Sequence, residues 1–128
     1  MLIKPTLKVN IVLLIAILIT GGISFLSLIR INNMPQLDVK SIDKYYHLIA
    51  YFFLTLSWLI YFKIRYKKLK DNYLLLIIFI LIVFGIVIET LQRMITDYRL
   101  FDYHDMIANT IGILIATSLF LAIKKKVF

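Results

Sequence analysis

Side chains that can exchange protons recur at helical spacing in three segments of the chain. In SIDKYYHLIAY, Asp43, His47 and Tyr51 follow one another at intervals of four residues, so a helix would present them on one face. The later segments IVIETLQRM and YRLFDYHDMIANTIG add further carboxylates, amides and arginines. Carboxylates and imidazoles commonly act as general acids and bases. The predicted catalytic residues are Glu89, Asp105, His47 and Asp43.

A second group of polar residues has the chemistry of a binding site for an anion. Arginine pairs with phosphate or carboxylate groups through two parallel hydrogen bonds, which suits a lipid pyrophosphate or a peptide carboxylate. The predicted substrate-binding residues are Arg99, Gln92, Asn109, Lys44, Tyr51 and Asp102. The spacing of these residues does not name a reaction, so the sequence leaves open whether the protein is an enzyme.

Metal and cofactor chemistry receives little support from the sequence. Aspartate, glutamate and histidine are possible ligands of a divalent cation, but HExxH and comparable ligand spacings are missing. The chain also contains no cysteine, which excludes disulfides and thiolate metal sites. We therefore predict no metal and no cofactor.

The elements that must position these residues are membrane helices. Of the 128 residues, 62% are hydrophobic, and the mean hydropathy is +0.92. A soluble domain is about half apolar, so lipid is expected to cover the excess. Four apolar stretches, at about residues 9–29, 45–62, 73–92 and 106–123, are long enough to cross a bilayer. The predicted fold is all-α: one domain over residues 1–128, built as a bundle of four transmembrane helices.

The basic residues predict the orientation of this bundle. Ten of the fifteen lysines and arginines lie in the N-terminal segment, the middle loop and the C-terminal segment. Since cytoplasmic segments carry an excess of lysine and arginine, both termini are expected to be cytoplasmic. The polar ends of the last three helices then meet at the outer face and form a shared pocket. Charge divided among short segments in this way argues against a nucleic-acid partner and favours contact with anionic lipid headgroups.

Each polar residue also has a structural interpretation. Asp102 could cap the fourth helix, and Arg93 and Arg99 could neutralise carboxylates, so that the polar cluster only locks three helices together. A lock needs one or two ion pairs, whereas this region has more charged groups than that. The surplus favours a functional pocket.

Taken in order, these residues resemble a known family. The pattern D-K-x-x-H-x-x-x-Y, E-x-x-Q and R-x-x-D-x-x-D-x-x-x-N-x-x-G is similar to that of the VanZ-like family of small bacterial membrane proteins. Its positions here are Asp43, Lys44, His47, Tyr51, Glu89, Gln92, Arg99, Asp102, Asp105, Asn109 and Gly112. The resemblance covers the second to fourth helices. It implies a multi-pass protein of the bacterial plasma membrane, in a family named for a member that lowers susceptibility to the glycopeptide teicoplanin.

Two hypotheses about function follow. In the first, the outward-facing polar pocket binds or modifies a lipid-linked or anionic envelope component, such as a lipid-linked cell-wall precursor, and membrane lipids are the surrounding partners. Reduced glycopeptide susceptibility would be one outcome of that activity. In the alternative, the protein is a membrane scaffold without enzymatic activity, and its polar cluster only locks the helices.

Overall fold

Four helices account for the regular structure of residues 5–29, 40–95 and 103–127, the part of the chain that the computed structural model describes. They are α1 (Pro5–Leu28), α2 (Lys40–Tyr66), α3 (Asp71–Ile95) and α4 (Tyr103–Val127). Each is long and apolar enough to cross a membrane. The prediction of an all-helical protein with four such helices is therefore confirmed, and each helix is longer than the apolar stretch that predicted it.

The connection between α2 and α3 is short and sharply turned. Lys63 and Arg65 lie in the last turn of α2, where cations interact favourably with the helix dipole. Lys67 then adopts a positive φ of 57°, a left-handed conformation that often ends a helix, and its carbonyl accepts a hydrogen bond of 2.7 Å from Lys63 Nζ. Asp71 begins α3 a few residues later. Such a short connection reverses the direction of the chain, so α2 and α3 run antiparallel.

The most extensive helix pair is α2 with α4, and it depends on Gly112. A Cβ atom at Gly112 would collide with the backbone carbonyl oxygen of Leu48 and lie 3.2 Å from the backbone nitrogen of Phe52. Ala108 and Ala116, four residues to either side on α4, are also buried. These small residues let the backbones of α2 and α4 nearly touch.

The core is apolar in the middle of the bundle, while many outward-facing side chains are also apolar. Tyr51, Leu54, Ile113 and Phe120 belong to one buried cluster. Large apolar residues such as Phe79 remain exposed along the outer surfaces. A soluble protein rarely exposes so much apolar surface, so these faces are the ones that lipid would cover.

Hydrogen bonds at two levels of the described part of the chain attach α1 to the other helices. Trp58 Nε1 donates a hydrogen bond of 3.0 Å to Thr20 Oγ1, which in turn donates to the carbonyl oxygen of Ala16 at 2.7 Å. Near the end of α1, Gln92 Nε2 on α3 donates to the carbonyl oxygen of Ser27 at 2.8 Å. The C-terminal ends of α1 and α3 therefore lie at the same end of the bundle.

Candidate functional site

His47 lies at the centre of a polar cluster that joins α2, α3 and α4. Its Nδ1 is 3.0 Å from Asn109 Oδ1 and 3.5 Å from Glu89 Oε1, whereas its Nε2 is 3.8 Å from both Asp43 Oδ2 and Asp105 Oδ2. We call these five residues the His47 cluster. The two sides of one imidazole ring thus face different polar groups.

The helices bring the cluster together because their polar residues lie near the same end of the bundle. Asp43 and His47 share a face of α2 at a spacing of four residues, in its first two turns. Asp105 and Asn109 have the same spacing at the start of α4. Glu89 lies six residues before the end of α3, or about 9 Å along the helix axis. The close approach at Gly112 holds α4 against the α2 turn that carries His47.

Most side chains of the His47 cluster are buried inside the bundle. Glu89, Asp105 and Asn109 are buried, and the His47 side chain is 11% exposed. The Asp43 side chain, at 36%, is the exposed edge of the cluster. An ionisable side chain near the middle of a membrane helix costs about 2.5–3.5 kcal/mol on insertion scales, and less toward the interface. Burial against other polar groups reduces this cost for Glu89 and Asp105.

The hydrogen bond to Asn109 constrains the proton on His47. In this orientation the Asn109 amide presents its oxygen, which only accepts, so Nδ1 carries the hydrogen. Nε2 then points toward two carboxylates. Nε2 and these two carboxylates can therefore hold a proton or another cation between them.

Tyr51 and Gly85 form the inner wall of the site. The Tyr51 ring packs against Phe84 with centroids 6.2 Å apart, and its buried hydroxyl has no hydrogen-bond partner among the described residues. A Cβ at Gly85 would lie 3.2 Å from Tyr51 Cε1 and 3.4 Å from Asn109 Nδ2. Gly85 was not predicted as a site residue, and the only sequence signal was a lone glycine one turn before Glu89.

A small cleft opens beside this wall, between α3 and α4. It has a volume of about 70 Å³ and is lined by Ile82, Gly85, Ile86, Met106, Asn109 and Thr110. A water molecule occupies about 30 Å³ in the liquid. The cleft can therefore hold a few waters, but it is too small for a lipid headgroup.

Some predicted site residues form the His47 cluster or its wall, some are described but lie outside it, and some lie outside the described residues. Asp43, His47, Glu89, Asp105 and Asn109 form the cluster, with Tyr51 on its inner wall. Gln92 is buried on the same helix face as Glu89, but its amide donates to α1. Lys44 is partly buried and makes no hydrogen bond or ion pair with the described residues. Arg99 and Asp102 lie outside the described residues.

Part of the cluster also matches the geometry of a metal-ligand set. One ligand atom each from Asp43, His47 and Asp105 can be chosen so that all three atoms lie within 4.8 Å of one another. The sequence prediction of no metal relied on the lack of a known ligand motif along the chain. Here the third ligand comes from a different helix, so linear spacing could reveal only the pair on α2.

The opposite end of the bundle carries a basic cleft of about 210 Å³. Its lining residues are Lys63, Leu69, Leu74, Phe120, Lys124 and Lys125. The C-terminal ends of α2 and α4 thus meet beside the start of α3, far along the helices from the His47 cluster. The His47 cluster and this lysine-rich cleft therefore lie at opposite ends of the same bundle.

Comparison with known proteins agrees with the sequence pattern. A family model described as VanZ/LLP1 matches residues 6–124, nearly the whole chain. The match includes α1, which contributed nothing to the motif pattern. No curated protein and no solved structure matches the chain.

Proposed function

The chain belongs to the VanZ/LLP1 family, and from this premise we propose that its His47 cluster is an outward-facing site that binds or modifies an envelope component. The component is anionic or lipid-linked, with a lipid-linked cell-wall precursor as one example. The protein acts in the bacterial plasma membrane as a multi-pass protein. A lower susceptibility to glycopeptides such as teicoplanin is one outcome that this activity would produce.

The burial of Glu89 and Asp105 around one histidine is the observation that carries the proposal. Both carboxylates lie within 4 Å of a His47 nitrogen, on opposite sides of the ring. An ion-pair lock between helices needs one carboxylate on the imidazole, whereas this ring faces three acidic side chains and an amide. Several acid–base groups held around one imidazole have the composition of a proton-transfer or ligand-binding site.

The outward orientation is supported by the distribution of charge. Nine of the described basic residues lie toward the end of the bundle opposite the His47 cluster: Lys8, Lys63, Arg65, Lys67, Lys68, Lys70, Lys124, Lys125 and Lys126. The basic cleft with Lys63, Lys124 and Lys125 lies at that end. Because cytoplasmic segments are rich in lysine and arginine, that end is the cytoplasmic one and the cluster faces outward.

A scaffold function is the second candidate, and specific contacts favour it. His47 bridges α2 to residues of α3 and α4, and Gln92 joins α3 to the end of α1. These contacts would stabilise the packing of all four helices without any ligand. In that case the cluster is a lock, and the protein acts by contacting other membrane proteins.

Charge-removing substitutions of similar shape separate the two functions. Glu89→Gln and Asp105→Asn keep the size and hydrogen-bonding capacity of each side chain while removing its charge. The matched control is Thr90→Ala, next to Glu89 on α3, where the exposed hydroxyl bonds only to its own helix at Ile86. Each variant is brought to equal expression, and melting in detergent and glycopeptide susceptibility are measured together.

A binding or catalytic site predicts that Glu89→Gln and Asp105→Asn lose the phenotype and melt close to the parent protein. A lock predicts a different result, because removing one partner of a buried ion pair costs about 3–5 kcal/mol by stranding the other charge. If loss of the phenotype follows loss of melting temperature in every variant, the site proposal is wrong and the scaffold function replaces it. Thr90→Ala should change neither measurement.

A further inference from the structure

We propose that the His47 cluster binds a divalent transition-metal ion, Zn²⁺ or Mn²⁺, through His47 Nε2 and the carboxylates of Asp43 and Asp105. The inference rests on the proposed function because it assigns a ligand to the same site. The three ligand atoms come from the first turns of α2 and α4 and lie within 4.8 Å of one another. The exposed edge at Asp43 gives an ion a route into the cluster.

The distances suit a shared ion better than direct hydrogen bonds. Nε2 is 3.8 Å from the Asp43 and Asp105 carboxylate oxygens, beyond the roughly 2.7–3.2 Å of an N–H···O hydrogen bond. Ligands at about 2.0–2.1 Å from a tetrahedral zinc are about 3.4 Å apart. Closure by a few tenths of an ångström therefore brings each carboxylate oxygen to coordination distance from Nε2, and the two carboxylate oxygens, which lie within 4.8 Å of each other, must also move together.

The other ring nitrogen is held as in known metal sites. A histidine that ligates a metal through one nitrogen almost always donates the other N–H to a carboxylate or carbonyl group, which sets its tautomer and orientation. Here Nδ1 has Asn109 Oδ1 at 3.0 Å and Glu89 Oε1 at 3.5 Å. Nε2 is thereby left as the free lone pair, directed between two carboxylates. Asn109 and Glu89 are positioning residues for the ligand histidine.

Two buried polar atoms lie near the Nδ1 side of the His47 ring, across the ring from the ligand set, and indicate that water enters beside Gly85. Asn109 is 3% exposed and Tyr51 is 1% exposed, yet Asn109 Nδ2 and the Tyr51 hydroxyl find no hydrogen-bond partner in the described part of the chain. Both residues flank Gly85, and the cleft of about 70 Å³ is lined by Gly85 and Asn109. Water in this cleft would accept a hydrogen bond from Asn109 Nδ2 and so hold the amide with its oxygen toward His47 Nδ1.

The ligand chemistry selects the ion. One imidazole with two carboxylates is a mixed nitrogen and oxygen set, which suits zinc and, through its oxygens, manganese. Calcium takes six to eight oxygen ligands, and magnesium is usually held by one or two carboxylates with several waters. A buried imidazole at the centre of the set therefore favours Zn²⁺ or Mn²⁺ over Ca²⁺ and Mg²⁺.

Calorimetric titration of the full chain tests the inference. The protein is purified in detergent, freed of a tag that contains no histidine, treated with a chelator and titrated with Zn²⁺ or Mn²⁺. One equivalent is expected to bind. Loss of a partner that only orients a ligand typically weakens metal affinity about 10–100-fold, so Asp43→Asn, which removes a ligand charge, should weaken it at least that much.

The chain supplies matched controls for both ligand types. Asp71 is also the acidic residue in the first turn of a helix, so Asp71→Asn removes a similar charge at the opposite end of the bundle. The only other histidine in the sequence is His104, which allows His104→Gln to be compared with His47→Gln. Asp71→Asn and His104→Gln should retain the affinity of the parent chain. Because Asp43 is partly exposed, Asp43→Asn should still fold, as checked by its melting temperature without metal.

Each outcome decides the inference. Absence of Zn²⁺ and Mn²⁺ binding, equal affinity in Asp43→Asn and the parent chain, or tighter binding of Ca²⁺ or Mg²⁺ would overturn it. Failure of the proposed function is seen separately. If the parent chain binds no metal but Glu89→Gln loses the phenotype at an unchanged melting temperature, the proposed function stands and the metal inference is wrong. If the parent chain binds metal but every variant that loses the phenotype also has a lower melting temperature, the ion is structural and the proposed function is wrong.

Discussion

Replacing Gly112 by alanine tests the packing that positions the site. The added Cβ would meet the backbone carbonyl oxygen of Leu48, which cannot rotate away as the end of a long side chain could. Relieving the collision requires α2 and α4 to separate by about 1 Å, and overpacking of this kind typically costs about 1–3 kcal/mol. Since the obstacle is backbone, we expect the upper part of that range.

A second glycine-to-alanine variant serves as the control for helix propensity. Alanine is better than glycine by about 0.8–1.0 kcal/mol in a helix interior, which partly hides the cost at Gly112. Gly21 in α1 has open space where its Cβ would lie, so Gly21→Ala should show only the stabilisation that comes from the higher helix propensity of alanine. The free energies of unfolding of the two alanine variants should therefore differ by about 2–3 kcal/mol, the overpacking cost at Gly112 alone.

Thermal unfolding in detergent, followed by fluorescence of the single tryptophan, measures this difference. Trp58 reports on the bundle because it lies on α2 and bonds to Thr20 on α1. Gly112→Ala should melt below the parent chain and Gly21→Ala at or above it. Equal shifts in the two variants would refute the close approach of α2 and α4. The same displacement would move the α2 turn at Leu48, next to His47, away from Asp105 and Asn109.

Two further predictions concern α1 and the orientation of the bundle. Gln92→Leu removes the hydrogen bond to the Ser27 carbonyl, so the free energy of unfolding should fall by about 0.5–1.5 kcal/mol. The glycopeptide phenotype should be retained. Loss of the phenotype at an unchanged melting temperature would instead make Gln92 part of the binding site. A cysteine introduced as Lys68→Cys should be protected from an impermeant thiol reagent in intact cells, whereas Met34→Cys, between α1 and α2 in sequence, should react. The opposite labelling pattern would put the His47 cluster on the cytoplasmic side.

The helices could be predicted from the sequence because membrane insertion depends on properties that add up along the chain. Twenty or so consecutive apolar residues suffice for a span whatever its neighbours are. Four such stretches predicted α1 to α4, although each helix is longer than its stretch. Polar residues spaced four apart likewise predicted that Asp43 would share a face with His47, and Asp105 with Asn109. Both are local properties of one helix.

The relations between helices were decided only by the tertiary structure. Helical spacing does not say which side of an imidazole faces which carboxylate, and here Nδ1 faces Asn109 and Glu89 while Nε2 faces Asp43 and Asp105. Helical spacing also could not predict that the Gln92 amide donates a hydrogen bond to the Ser27 carbonyl.

These contacts depend on how far each helix is rotated about its axis and how deep it lies in the bundle. Both are determined where two helix backbones come close together at a small residue. Gly112 sets that approach for α2 and α4, and Gly85 leaves the space beside Tyr51 and Asn109. Hydropathy and spacing along one helix carry no information about such distances, because these are properties of two backbones at once. The sequence by itself therefore determined four helices and a polar face on each of three, and the packing alone arranged those faces around His47.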